Sequence, residues 1–152
     1  MLVQYHVISA VTVRYVIPNL VEIVSRGSVE ARNRLLALVR ERPKLVVPYA
    51  KEIAKLLDST SGPVRSASLE ALAALSRVSP ATMAFLLPKL HTLLSNEPQN
   101  TLANNAVEIL SNYAKTSTQA AAKVIPILKK SLDGLGPKAA EQVKKIIDGI
   151  DE

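Results

Sequence analysis

The sequence predicts an all-α protein, folded as a short right-handed α-solenoid of about four helix pairs. Three observations predict it. Leu, Ala, Val and Ile supply most of an apolar fraction of 48%, with one Phe, four Tyr and no Trp, and Leu and Ala are the strongest helix formers. Only five glycines are present, and Gly27, Gly62, Gly134 and Gly136 lie between stretches of helical periodicity. Third, four of the nine prolines sit inside such stretches, each behind two aliphatic residues: Val16-Ile17-Pro18, Val46-Val47-Pro48, Leu86-Leu87-Pro88 and Val124-Ile125-Pro126. A proline inside a helix removes a hydrogen bond and kinks the chain, at about 3 kcal/mol. The same cost carried at intervals of 30, 40 and 38 residues points to one copied unit, and a period of that size marks a repeat architecture.

A chain of 152 residues is one domain by size, here read as units of about 9–42, 43–79, 80–116 and 117–152. In the first unit, Ile17, Leu20, Ile23 and Val24 predict a helix starting near Ser9. Gly27-Ser28 is its turn. Val29–Arg42 is the second helix, with Leu35, Leu36, Leu38 and Val39 buried. Residues 1–15 also alternate like strands, at Val3–Val7 and Val11–Tyr15, but a lone strand has no partner and helix is preferred.

In the second unit, Val46, Tyr49, Ala50, Ile53 and Leu57 make an apolar stripe with Lys44, Lys51, Lys55 and Asp58 opposite, which is an amphipathic helix. Ser59–Pro63 ends it, and Pro63 suits the start of the next helix. That helix carries Val64, Ala67, Ser68, Ala71, Leu75 and Val78, widened by Leu69 and Leu72, so it must touch several neighbours.

The third unit opens at Ser79-Pro80, an N-cap followed by a first-turn proline. Met83, Leu86, Leu87, Leu90, Leu93 and Leu94 stripe its first helix, and Asn96–Asn100 is its turn. Leu102, Ala106, Ile109, Leu110 and Tyr113 stripe the second helix, with Asn105, Glu108, Asn112 and Lys115 wet. In the fourth, Val124, Ile125, Leu128 and Leu132 carry the first helix, Gly134–Pro137 the turn, and Val143, Ile146, Ile147 and Ile150 the second. Glu141 and Lys145 are spaced as a favourable i,i+4 pair, on a charged outer face suited to the end of a solenoid.

These residues resemble the HEAT repeat. The matching stretch is Pro48, Asp58, Val64 and Arg65, with Ser68 where alanine is usual and Ala71-Leu72 after it. The resemblance implies a proline-kinked first helix, an Asp in the turn and a Val-Arg pair opening the second helix. It also implies that Asp58 and Arg65 link the turns of neighbouring units. Pro18, Pro88 and Pro126 match in the other units, whose turns lack the Asp at that position. Such a degenerate pattern speaks for the fold more than for a homologous function.

Composition excludes several chemistries. With no cysteine, disulfides, thiolate catalysis, zinc–thiolate sites and iron–sulfur clusters are out, and a reducing, cytoplasmic setting fits. Met1–Ile17 is apolar but lacks the basic start of a secretory signal. It is also shorter than the roughly 20 residues a membrane span needs. The histidines, His6 and His91, are far apart without carboxylates at ligand spacing, and the acidic residues are scattered among Lys and Arg. Gly134-Leu135-Gly136 lacks the context of a phosphate loop, and Ser59-Thr60-Ser61 has no base beside it. The expectation is therefore no catalytic residue, no metal and no cofactor.

One surface feature stands out: Arg26, Arg32, Arg34, Arg40, Arg42 and Lys44, against only Glu30 and Glu41. Arg34 and Arg40 should project outward. A second basic group, Lys123, Lys129, Lys130, Lys138, Lys144 and Lys145, falls near the C-terminal end. With a net charge of +6, such clusters admit a solvated face, an acidic protein partner or nucleic acid, in that order of preference. The scarcity of stacking aromatics weighs against single-strand binding. It also weighs against the DNA-glycosylase activity of some HEAT-like proteins, and nothing suggests the pigment chemistry of another such group. The expected function is non-enzymatic: a scaffold holding another protein along its second helices, with nucleic-acid binding as the alternative. The apolar residues 1–16 leave no single wet stripe if helical, which calls for a cap or a second copy of the chain, self-association being preferred.

Overall fold

The computed structural model describes residues 10–96, 101–131 and 137–151. Every regular element among them is helical, and none is a strand. The chain divides into two compact units, Met1–Val78 and Ser79–Glu152. Expectations for residues 1–9 and for the turns at 97–100 and 132–136 lie outside the described residues.

In the first unit, α1 (Ala10–Ser25) carries Pro18 in its interior and buries Ile17, Val21 and Val24. Ile23, expected in that stripe, is instead exposed. The turn after α1 closes through two backbone bonds, Gly27 N–H to the Val24 carbonyl at 2.9 Å and Ser28 N–H to the Ile23 carbonyl at 3.4 Å. This is the Schellman arrangement, which needs a left-handed residue, and Gly27 supplies it at φ 97°. Ser28 then caps α2 (Val29–Glu41) by accepting from Ala31 N–H at 3.1 Å.

Pro43 stops α2, because the residue before a proline is pushed out of the helical region; Arg42 stands at φ −134°, ψ 56°. The expected helix from Lys44 to Leu57 is not one α-helix. It runs as α3 (Pro43–Val46), a 3₁₀ segment at Val47–Tyr49, α4 (Ala50–Ala54) and a 3₁₀ segment at Lys55–Asp58. The proline has no N–H for an i−4 bond, and the chain tightens around it, with Ala50 N–H bonding the Val47 carbonyl;.

Ser61 caps α5 (Gly62–Val78) by accepting from Val64 N–H at 3.4 Å. As expected of a helix apolar around most of its girth, α5 packs against α2, α3, α4 and the Lys55–Asp58 segment. It buries Val64, Ala67, Leu69, Ala71, Leu72, Ala73 and Leu75. Val78, placed on the stripe by its spacing, is exposed, because it lies in the last turn.

In the second unit, a 3₁₀ segment spans Pro80–Leu86 and leads directly into α6 (Leu87–Asn96). Seven residues is long for this tight geometry, and prolines bracket it at Pro80 and Pro88. Pro88 is thus inside a helical run, as Pro48 is, and neither lies in a loop. Met83, Leu86, Leu90 and Leu94 are buried.

The central element here is α7 (Thr101–Ala114), which packs on Pro80–Leu86, α6, α8 and α9. It buries Leu102, Ala106, Ile109, Leu110 and Tyr113 as expected, and Val107 besides. α8 (Thr118–Ser131) holds Pro126 in its interior and is capped by Ser117, which accepts from Ala120 N–H at 3.0 Å. α9 (Pro137–Asp151) buries Val143 and carries the expected Lys145–Glu141 pair at 3.6 Å. No described helix is long and apolar enough to cross a membrane.

Candidate functional site

The residues of the expected basic cluster lie on the first unit, from the turn after α1 to the start of α3, and they are not a free strip of cations. Arg26, after α1, pairs with Glu22 at 2.6 Å, and Arg34 on α2 pairs with Glu30 at 2.8 Å, both at i,i+4 spacing. Arg40 pairs with Glu70 of α5. Arg34 and Arg40 do project outward, with side chains 70% and 64% exposed. Arg42 reaches only a backbone carbonyl, that of Glu41, at 3.5 Å. Among the described residues Arg32, Arg42 and Lys44 have no carboxylate partner. The local count of acids missed Glu22 and Glu70. The first was legible from helical spacing. Glu70 comes from 30 residues away, through the packing of α2 on α5.

Charge is divided unevenly. Residues 1–78 hold eleven Lys and Arg against six Asp and Glu, a balance of +5, and residues 79–152 hold eight against seven, a balance of +1. In the second basic group, Lys123, Lys129, Lys130, Lys144 and Lys145 are exposed, and Lys145 pairs with Glu141.

The second unit carries an open groove of about 280 Å³. α7 supplies Val107, Glu108, Ser111, Asn112 and Lys115, and α9 supplies Lys145 and Ile146. The order of residues on α7 explains its character. Positions 108, 111, 112 and 115 recur at three- and four-residue spacing, so they share a face. Buried Val107 and half-buried Ile146 give it an apolar floor, and Lys115 and Lys145 stand exposed at its rim. Sequence patterning identified Glu108, Asn112 and Lys115 as wet but missed the groove, which exists only because α9 packs beside α7.

The repeat-defining residues fall into place individually. Pro18, Pro48, Pro88 and Pro126 are exposed on helical backbone, Asp58 is exposed at the end of its 3₁₀ segment, and Arg65 is half-buried in the first turn of α5. Ser68, where the resemblance expects alanine, is fully buried, and its hydroxyl donates to the Ile53 carbonyl at 2.8 Å, tying α5 to α4.

His91 is half-buried on α6, His6 lies outside the described residues, and no three His, Asp or Glu among the described residues gather as a metal site. No protein-family model matches this chain, and neither does any curated protein sequence or solved structure.

Proposed function

We propose that the chain is a non-catalytic, cytoplasmic binding module: a short right-handed solenoid of about four HEAT-like helix pairs that holds another protein along its second helices. The observation that carries the reading is the α7–α9 groove. In the repeat reading, α7 and α9 are the second helices of the third and fourth helix pairs. Their facing sides combine an apolar floor with amide, hydroxyl and ammonium groups. That combination suits an extended polypeptide: apolar side chains reach the floor, Ser111 and Asn112 meet peptide groups, and the lysines meet acidic side chains. The interleaved charges of α2 support the same reading, since mixed signs complement a protein surface better than a run of phosphates.

Affinity capture from the source organism, nuclease-treated and read by mass spectrometry, tests this. The intact chain should retain a defined protein partner. A Lys115→Glu, Lys145→Glu double variant should lose it with an unchanged circular dichroism spectrum. Equal capture by both would remove the groove from the account.

A second reading, nucleic-acid binding, is favoured by the +5 balance of residues 1–78 and by Arg32, Arg42 and Lys44, which have no carboxylate partner among the described residues. It predicts a gel shift at low salt that weakens steeply as salt rises, through counterion release, and that Arg34→Glu with Arg40→Glu reduces. No shift at low salt would dismiss it.

A further inference from the structure

The α7–α9 groove has a direction. Along α7, Val107 and Lys115 lie eight residues apart, a rise of about 12 Å, with Ser111 midway;. Val107 is buried and marks the apolar end, where Glu108 follows it; exposed Lys115 stands at the other end. Lys115 has no carboxylate partner among the described residues, whereas Lys145 of α9 already holds Glu141 at 3.6 Å. Ser111 is half-buried, and its hydroxyl makes no hydrogen bond among the described residues.

We infer that this groove takes an extended segment of another protein in which an apolar and an acidic residue stand two positions apart. The inference rests on the groove being the protein-binding site proposed for it, and adds the pattern that it selects. A helical side chain leans toward the N-terminus of its own helix. The Lys115 ammonium therefore stands over the turn between Ser111 and Lys115, about 6–10 Å beyond Val107. Side chains two apart in an extended chain share a face and lie about 6.6 Å from each other. The apolar one then covers Val107 while the acidic one meets Lys115. Adjacent residues point to opposite faces, and an extended spacing of four overshoots, at about 13 Å. Ser111, between the two seats, meets the peptide group of the intervening residue. That contact selects an extended chain over a helix, whose backbone N–H and C=O groups are already paired with one another. Glu108 repels a carboxylate at the Val107 end, so the acidic residue has one seat.

NMR titration of the isotope-labelled intact chain with four terminally blocked alanine-based heptapeptides tests this. One carries leucine and glutamate two positions apart. The second carries them adjacent, the third four apart, and the fourth has glutamine in place of the glutamate of the first. The first should move the backbone signals of residues 107–115 and 145–146 saturably at about millimolar concentration. The other three should bind about fivefold more weakly or less. Lys115→Gln should weaken the first peptide about fivefold, and Lys145→Gln by a smaller factor because Lys145 shares its charge with Glu141;. Both variants should keep the spectrum of the parent chain away from the groove. Equal binding of all four peptides, or preference for the four-apart peptide, which only a helix can seat, would overturn the inference and leave the groove as a protein-binding site. Groove signals that none of the four peptides moves would overturn the inference and the groove reading together.

Discussion

Gly27 and Gly62 offer a paired test of the turn chemistry. Both belong to the first unit, and a Cβ built on either meets nothing within 4 Å. Sterics against neighbours therefore contribute nothing at either site, and the backbone alone decides. Gly27 stands at φ 97° and Gly62 does not have a positive φ. A left-handed backbone costs a residue with a Cβ about 1–2 kcal/mol. Restricting the unfolded chain returns about 0.4–1 kcal/mol in both variants. The balance for Gly27→Ala is a loss of about 1 kcal/mol, while Gly62→Ala gains about 0.5 kcal/mol, a separation of about 1.5 kcal/mol. With a urea slope of about 2 kcal/mol per molar, the two midpoints should differ by about 0.7 M, Gly27→Ala lower and Gly62→Ala higher than the parent. Equal midpoints, or a Gly27→Ala chain as stable as the parent, would refute the Schellman turn between α1 and α2.

Further consequences concern the core and its ties. Leu72→Ala, at a fully buried site, should cost about 2–5 kcal/mol, whereas Val78→Ala should stay within about 0.5 kcal/mol; urea melts of both distinguish the buried middle of α5 from its exposed last turn. Ser68→Ala removes the hydroxyl that holds the Ile53 carbonyl and should lower stability by about 1 kcal/mol, and a gain in the thermal midpoint would contradict the bond. A double-mutant cycle on Arg40 and Glu70, both partly exposed, should give a coupling below about 1 kcal/mol that shrinks in high salt.

The parts of this fold that were legible in the sequence are those set by local spacing. Helical periodicity placed the buried residues of α5 and α7, and Pro63 and Gly27 sit at helix ends because their backbone preferences are local. The Glu141–Lys145 pair follows from one turn of helix. Local spacing could not show how prolines divide a helix. Pro48 and Pro88 stand where expected, yet the surrounding chain relaxes into 3₁₀ geometry rather than a bent α-helix. Patterning also treats every stripe position alike, so it buried Ile23, which lies on the face of α1 away from Ile17, Val21 and Val24, and Val78, which the last turn of α5 leaves in solvent;. The charge cluster shows the same limit. Its arginines were visible, but Glu70 is brought to Arg40 only by tertiary packing, and so is the α9 wall of the groove.

If the second helices form the partner-binding surface, hydrogen–deuterium exchange on the captured complex should show added protection at the groove faces of α7 and α9, around residues 107–115 and 145–146. That protection should be lost in the Lys115→Glu, Lys145→Glu variant. Protection confined to the first helices α6 and α8, with α7 and α9 exchanging as in the free chain, would contradict that reading.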